Sequence, residues 1–309
     1  LFMMLLNPTF SSSGTVISFQ FSEFGAGGMF VAISVAIFVS VVLEVFGRFS
    51  FFSEDSVIPD FVTAWFDSML PIGVIIAIGW ILVDVCHFNM YHMIQAVFSP
   101  LANGVETIYG FTLILFIYCF IYSMGISGWV LAPIMQPLML GGIAANTAAI
   151  AAGKSATHVF TSEVIYSGWT WIGGIGCTMP LVLMMLFLAK SQRLKALSKA
   201  SVVPSLFNIN EPVVFGIIVW NPYLMIPLWI NGIVIPIMTW IGLKAGLATI
   251  PKALMQLWYI PFPVSTWLVS PSVGAIILVV LIFIVSWVIW FPFFKVYDGQ
   301  IAKEEAANG

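Results

Sequence analysis

Asn208, Asn210 and Glu211 stand together in SLFNINEPVVFG, residues 205–216, where almost everything around them is apolar. Two amides and a carboxylate so close in sequence gather hydrogen-bond donors and acceptors, the chemistry that recognises hydroxyl groups such as those of a sugar. Pro212 follows directly, and a proline disfavours helix at the residue before it. Glu211 is therefore expected on extended backbone at the tip of a hairpin. The same residues also fit a polar cap that stabilises a broken helix. Trp258, in the proline-broken stretch LWYIPFP, adds an aromatic plane on which the C–H face of a pyranose can pack. A tryptophan anchoring the chain at a membrane interface is the alternative use of that residue.

Other reactive side chains form no such group. Cys86, Cys119 and Cys177 are scattered through apolar segments with no Cys-x-x-Cys pair, so they read as packing residues. His87, His92 and His158 lack metal-ligand spacing with acidic partners, and neither a metal nor a cofactor is expected. An intramembrane enzyme would need a nucleophile–base pair or a metal cluster, and the sequence displays neither pattern.

The elements that position these residues must lie in a membrane. The 309 residues are 61% hydrophobic and 7% charged, against about 25% charged in soluble domains, with a mean hydropathy of +1.08. A polytopic, all-α membrane protein follows. The net charge of −3, without a basic patch, excludes nucleic acid as a partner. A carboxylate inside a bilayer costs at least about 2.5–3.5 kcal/mol, so Glu211 persists either because it is paired or because it works.

A spanning helix takes about 20 apolar residues. Gly25–Phe46, Trp65–Val83, Thr107–Gly125, Trp169–Ala189, Tyr223–Leu243 and Ser272–Phe294 qualify. Trp129–Gly153 is also charge-free, but Pro133, Pro137, Gly141 and Gly142 interrupt it. Broken apolar segments survive only where the backbone is buried in protein or lines a cavity, and in transporters they mark the substrate site. The segment Asp55–Pro71, with Val57, Phe61, Ala64, Trp65 and Ser68 roughly on one face, reads as an interfacial helix leading into a span or as an ordinary helix start. The spaced glycines Gly173, Gly174 and Gly176, like Gly242 and Gly246, read as sites of close helix packing.

Positive residues set the orientation. Lys190, Arg193, Lys195 and Lys199 crowd one loop, and Lys295 and Lys303 follow the last span, so both places are expected in the cytoplasm. Two spans connect them, which makes the stretch around Glu211 a re-entrant hairpin that leaves and returns on the same side. The chain opens at Leu1 directly into LFMMLLNP, which reads as the tail of a helix whose start is missing.

LFNINEPVVFG followed by WNPYLMIPL closely resembles the enzyme IIC permeases of the bacterial sugar phosphotransferase system, in the lactose/cellobiose/diacetylchitobiose family. The resemblance continues through WTWIGGIGCTMPLVLMMLFLAKSQRLKALSKASVVPSLFNINEP, where it includes that family's Gly-Gly-x-Gly-x-Thr helix. It also takes in SVIPDFVTAWFDSMLP, AGKSATHVFTSEV and PFFKVYDGQ, and so covers essentially the whole chain. It implies a homodimeric, multi-pass permease of the bacterial inner membrane with a cytoplasmic C-terminus. Such a permease binds a disaccharide, carries it inward and presents it to the phosphocysteine of a separate enzyme IIB, itself served by enzyme IIA.

On this resemblance, residues 1–103 are the remainder of a scaffold and dimerisation half, 104–296 a substrate-binding transport half and 297–309 a cytoplasmic tail. Glu211 would hydrogen-bond the sugar near the hydroxyl that receives the phosphoryl group. Asn208 and Asn210 would shape the hairpin or touch the sugar, and Trp258 matches a family tryptophan. Where the family typically has Gly-Ile-His-Gly, this chain has Gly125, Ile126, Ser127 and Gly128. Serine keeps a donor and an acceptor but loses the reach and any positive charge of histidine. His158 is not a substitute by motif position, and Lys154, in AAGKS, reads as a snorkelling lysine. Without the family, the same residues fit an ion-coupled secondary transporter with Glu211 as proton carrier. A truncated, non-transporting remnant is the third reading.

Overall fold

A computed structural model describes the chain except residues 7, 12, 14, 19–27, 51, 53–58 and 309, and except the side chains of residues 10, 95 and 308. It divides into two units, Leu1–Pro100 and Leu101–Gly309. Five helical stretches among the described residues are long and apolar enough to cross a membrane: Met29–Phe46, Asp60–Val85, Gly128–Ala151, Pro222–Lys244 and Val273–Ala307.

The first unit contains α1 (Phe2–Leu5), a two-stranded antiparallel ladder of Thr9–Phe10 with Ile17–Ser18, α2 (Met29–Phe46), α3 (Asp60–Trp80) and most of α4 (Met90–Val105). Its core is small, formed by Leu5, Leu6, Val31, Val35, Tyr91 and Ile94. Most of α2 and α3 instead presents exposed apolar side chains such as Ile37, Val45, Phe61 and Ile76, as lipid-facing helices do. α3 passes through Pro71 without a break and continues as a π-helical turn, Ile81–Val85. The segment read as an interfacial helix is therefore, from Asp60 onward, the start of that same helix. Residues 25–27 and 55–58, where two of the expected segments begin, lie outside the described residues.

The second unit carries the residues singled out in the sequence. Its helices are α5 (Ile108–Ser123), α6 (Ala132–Ala151), α7 (Met179–Leu188), α8 (Gln192–Leu206), α9 (Glu211–Val213), α10 (Pro222–Lys244), α11 (Val264–Val269) and α12 (Val273–Asn308). α10 packs against α5 and α12. Close approach explains two of its small residues: a methyl at Gly232 would sit 2.9 Å from Cys119 Sγ, and one at Gly242 would sit 2.7 Å from Leu278 Cδ2. Gly246, with φ +78° and open space around it, instead ends α10.

Four expectations are corrected. α6 is not interrupted by its prolines: Pro133 lies in the first turn, where no helical acceptor awaits an N–H, and the helix runs on to Ala151. Trp169–Ala189 is not one spanning helix, because only Met179–Leu188 is helical. Residues 169–178 are an irregular loop in which Gly173, Gly174, Gly176 and Cys177 all take positive φ. Gly173 and Gly174 therefore serve turns, while Gly176 also allows the close approach of α10, since a methyl there would collide with Leu228. Glu211 is not extended either. It is the first residue of α9, which continues as a π-helical turn, Val214–Ile218. Pro212 is accommodated in that first turn, so the bias against helix before proline gives way.

α8 is anchored by the last helix. Asp298 accepts from the backbone N–H groups of Lys190 and Ser191 at 2.9–3.0 Å, and Glu305 accepts from those of Gln192 and Arg193 at 2.9 Å. Two carboxylates thus meet the N-terminal donors of α8, where negative charge is favoured by the helix dipole. Residues 297–308 continue α12.

The glycine loop makes a direct test possible. At Gly174, with φ +107°, an added methyl would lie 2.3 Å from Asn210 Cγ, whereas at Gly141 in α6 it would meet nothing within 4 Å. Gly174→Ala should lower stability by about 1–3 kcal/mol, and Gly141→Ala should leave it unchanged or raise it. Thermal unfolding of the detergent-solubilised protein measures both.

Candidate functional site

A cavity of about 420 Å³ lies within the second unit. α5 contributes Tyr118 and Tyr122 to its lining. The 3₁₀ turn Gly128–Leu131 and the residue before it contribute Ser127, Gly128 and Trp129, and α6 contributes Ala132 and Gln136. Tyr166 comes from the π-helical turn Glu163–Gly168. Trp171, Gly174 and Ile175 come from the glycine loop, Asn208–Glu211 from the turn after α8, and Gln256 and Trp258 from the irregular stretch before α11.

The two asparagines hold these pieces together. Asn208 takes a left-handed conformation (φ +62°), which asparagine tolerates better than most residues. Its Oδ1 accepts from the Gly173 N–H at 3.0 Å, and its Nδ2 donates to the carbonyls of Trp258 at 2.7 Å and Ile260 at 3.3 Å. Asn210 is 2% exposed. Its Nδ2 donates to the Ile175 carbonyl (2.9 Å) and to Thr178 Oγ1 (3.0 Å), and its Oδ1 accepts from the Tyr122 hydroxyl at 3.3 Å. Both amides are thus engaged by the protein itself. Glu211, next along, is exposed and lines the cavity beside Tyr122.

Around this turn, irregular backbone is satisfied by side chains. The Cys177 carbonyl accepts from Ser286 Oγ (3.1 Å) and Trp290 Nε1 (3.0 Å) of α12, and the Gly173 carbonyl accepts from Thr178 Oγ1 at 2.8 Å. Glu163, fully buried, accepts from Ser162 Oγ (3.0 Å) and from the Met255 N–H (2.9 Å). It thereby tethers the stretch that carries Gln256 and Trp258.

Six of the seven residues expected at the site therefore line one cavity: Glu211, Asn208, Asn210, Ser127, Gly128 and Trp258. Gly125 does not. It ends α5 with φ +83°, its N–H bonded to the Tyr122 carbonyl at 3.1 Å. Ser127 caps the 3₁₀ turn, with Oγ accepting from the Trp129 N–H at 3.4 Å. His158 is outside the lining and pairs with Glu106, Nδ1 to Oε1 at 3.2 Å.

Sequence reasoning missed an aromatic wall. Trp171 packs against Tyr118 (centroids 5.3 Å, 72° between planes) and Tyr166 (4.7 Å, 37°). Nothing in spacing separates these rings from the other aromatics of the chain. Gln136 was also missed, although an amide early in a largely apolar helix carries the same signal that drew attention to Asn208 and Asn210. Its Oε1 is buried with no hydrogen-bond partner in the protein.

Comparison with known proteins agrees with this architecture. A family model described as "Phosphotransferase system, EIIC" matches residues 1–232. The putative permease IIC component YwbA of Bacillus subtilis (strain 168) is 30% identical over 292 residues, covering 92% of this chain and 66% of that protein. The cellobiose-specific EIIC component of Geobacillus stearothermophilus is 28% identical, covering 92% of this chain and 65% of that one. Among solved structures, the transporter ChbC, the IIC component of an N,N′-diacetylchitobiose-specific phosphotransferase system, superposes with a TM-score of 0.83 at 27% identity. That match covers 98% of this chain and 75% of ChbC. The chain spans about two thirds of the length of the first of these relatives. With its all-helical membrane fold and its irregular, side-chain-satisfied cavity, the chain belongs to the EIIC family of the phosphotransferase system.

Proposed function

We propose that this chain binds a β-linked disaccharide of the cellobiose, lactose or diacetylchitobiose type in the cavity, carries it inward and presents it to enzyme IIB. The observation that carries this reading is the geometry around Glu211: one cavity-exposed carboxylate, on a turn whose two flanking amides are locked by the protein. A carboxylate held in that way loses little freedom when a sugar hydroxyl donates to it, and that is how a positioning group gains affinity and orientation. The aromatic wall supplies apolar faces for the rings, Trp258 a further one, and Gln136 and Ser127 supply further polar contacts. Asn208 and Asn210 act as braces.

Phosphoryl transfer then needs little from the permease beyond placement. The P–S bond of the phosphocysteine on IIB breaks, a P–O bond forms to the presented hydroxyl, and the hydroxyl proton ends on the released cysteine sulfur. Glu211 orients that hydroxyl. Movement between outward and inward states is alternating access, with the half that carries the cavity moving against a dimeric scaffold. The basic stretch Lys190–Lys199, most of it the start of α8, and the C-terminus lie on the cytoplasmic side, where IIB docks. The resemblance to cellobiose-, lactose- and diacetylchitobiose-specific EIIC proteins supports the substrate class.

Uptake of radiolabelled disaccharide by cells carrying the cognate IIB and IIA tests this. Uptake should require IIB and survive an uncoupler, and Glu211→Gln should abolish it, with binding weakened at least about tenfold because a hydrogen bond to a charged acceptor is lost. Uptake that collapses with an uncoupler and proceeds without IIB would instead establish an ion-coupled transporter. Normal uptake by the Gln variant would remove Glu211 from the mechanism. Ser127→His, which restores the family's longer donor at the cavity wall, should tighten disaccharide binding by about two- to tenfold. An unchanged dissociation constant would mean that Ser127 does not meet the sugar.

A further inference from the structure

The segment that follows Lys154 and carries His158 contributes nothing to the cavity lining. Residues 157–160 are irregular backbone, held by side chains from three places in the chain. Asn146 of α6, fully buried, accepts from the N–H groups of Thr157 (3.0 Å) and His158 (2.9 Å) and donates to the His158 carbonyl (2.9 Å). Lys244, the last residue of α10, donates to the Thr157 carbonyl at 2.7 Å. Glu106, between α4 and α5, takes the rest. Its Oε2 accepts from the Val159 N–H at 2.9 Å, and its Oε1 accepts from the Phe160 N–H at 3.3 Å and lies 3.2 Å from His158 Nδ1. The Glu106 carbonyl in turn accepts from Trp240 Nε1 of α10 at 3.4 Å. Packing is equally close: a methyl at Gly142 of α6 would lie 2.7 Å from the Phe160 carbonyl oxygen, and one at Gly110 of α5 would collide with the Gly104 carbonyl.

We infer that Glu106 is a positioning residue for transport: it fastens the joint between α4 and α5 to residues 157–160, so that the last turn of α4 travels with the cavity-bearing unit. This rests on the proposed function above, in which that unit moves during alternating access. Each unit is one continuous stretch of chain, so α4, which crosses the boundary at Pro100–Leu101, is the covalent link between them. Pro100 offers no N–H to the helix ladder and leaves a weak point there. Beyond it, Val105 is buried in the core of the second unit with Leu101 packed against that core, and Glu106 comes next. A joint free to flex would absorb part of the movement and slow each turnover. Binding is another matter. None of these clasp residues lines the cavity, and residues 157–160 keep Asn146 and Lys244 when Glu106 is altered. The clasp is remote from the IIB side as well: α10 runs about 30 Å from Lys244 back to Tyr223, whose hydroxyl accepts from Gln300 of α12. Glu106 therefore acts on the rate of transport and not on affinity.

Glu106→Gln isolates the clasp, because the side chain keeps its size while one acceptor oxygen becomes an NH₂ that faces an N–H donor. Two readouts are compared, each corrected for the amount of folded protein. One is uptake of radiolabelled cellobiose, lactose and diacetylchitobiose by cells carrying the cognate IIB and IIA, and the other is calorimetric binding of the same sugars to the purified protein. Glu106→Gln should lower the maximal uptake rate at least about tenfold and leave the dissociation constant unchanged. His158→Ala, which spares both backbone bonds, should lower uptake by about two- to threefold with binding again unchanged, and it decides the matter if the glutamine variant does not accumulate. The double variant should transport no more slowly than Glu106→Gln alone, since both changes act on one clasp. Native uptake by Glu106→Gln overturns the inference and leaves the proposed function standing. So does a proportional loss of uptake and binding, which would make Glu106 a brace of the fold alone. If the native protein takes up none of the three sugars, the proposed function fails and the inference with it.

Discussion

The amide of Asn210 is the contact on which the rest of the site depends. It is buried, and it joins three separated stretches: α5 through Tyr122, the glycine loop through Ile175 and Thr178, and the turn after α8 on which it stands. Each buried amide left unpaired would cost about 1–3 kcal/mol, so the three stretches are held in register by the penalty for parting as much as by the bonds themselves. Asn208 repeats the device toward Gly173, Trp258 and Ile260. Glu211 lies next to Asn210, and its direction is inherited from these braces. The amides leave the carboxylate no structural task, so it remains available to a ligand.

That arrangement demands unusual backbone, and the membrane limits how such backbone is tolerated. An N–H or C=O without a partner cannot fall back on water inside a bilayer. The irregular loop of residues 169–178 meets this with side chains: Thr178 on Gly173, and Ser286 and Trp290 on Cys177. Glycine is required where the chain doubles back. At Gly173 a methyl would lie 2.6 Å from the Met179 nitrogen, and at Gly174 it would occupy the place of the Asn210 amide. The π-helical turn Glu163–Gly168 gives Tyr166 to the cavity and the turn Val214–Ile218 follows Glu211 closely, in keeping with the way such turns gather at functional sites. Glu163 and the paired caps Asp298 and Glu305 hold the surrounding segments, which leaves Glu211 as the carboxylate that meets the cavity.

Much of this was legible in the sequence because polar residues in an apolar chain are conspicuous. Asn208, Asn210, Glu211, Ser127, Gly128 and Trp258 were all singled out, and they converge on one cavity. The all-α membrane class followed from composition. Helix α10 (Pro222–Lys244) matches its apolar run closely, and α12 runs beyond its own to Asn308. What failed has a common cause. Apolar runs measure burial, not helicity, so Trp169–Ala189 looked like a span although half of it is a glycine-hinged loop buried in protein. Prolines at 133 and 137 looked like breaks, yet Pro133 falls in the opening turn of α6 and the helix continues through Pro137. Glu211 proved helical because a proline that is poor in mid-helix is welcome in the first turn. The aromatic wall of Tyr118, Tyr166 and Trp171 had no local signature, since its three members come from three elements and only the fold brings them together.

The most direct test of the central claim, that braced amides aim a free carboxylate at a bound sugar, is calorimetric binding of cellobiose, lactose and diacetylchitobiose to the purified protein and to Asn210→Ala. The account predicts that the native protein binds at least one of them. It also predicts that Asn210→Ala, with Glu211 intact, loses at least about tenfold in affinity, because the three stretches it ties are released. Binding by the variant as tight as by the native protein would contradict the account, since Glu211 would then be aimed without its brace.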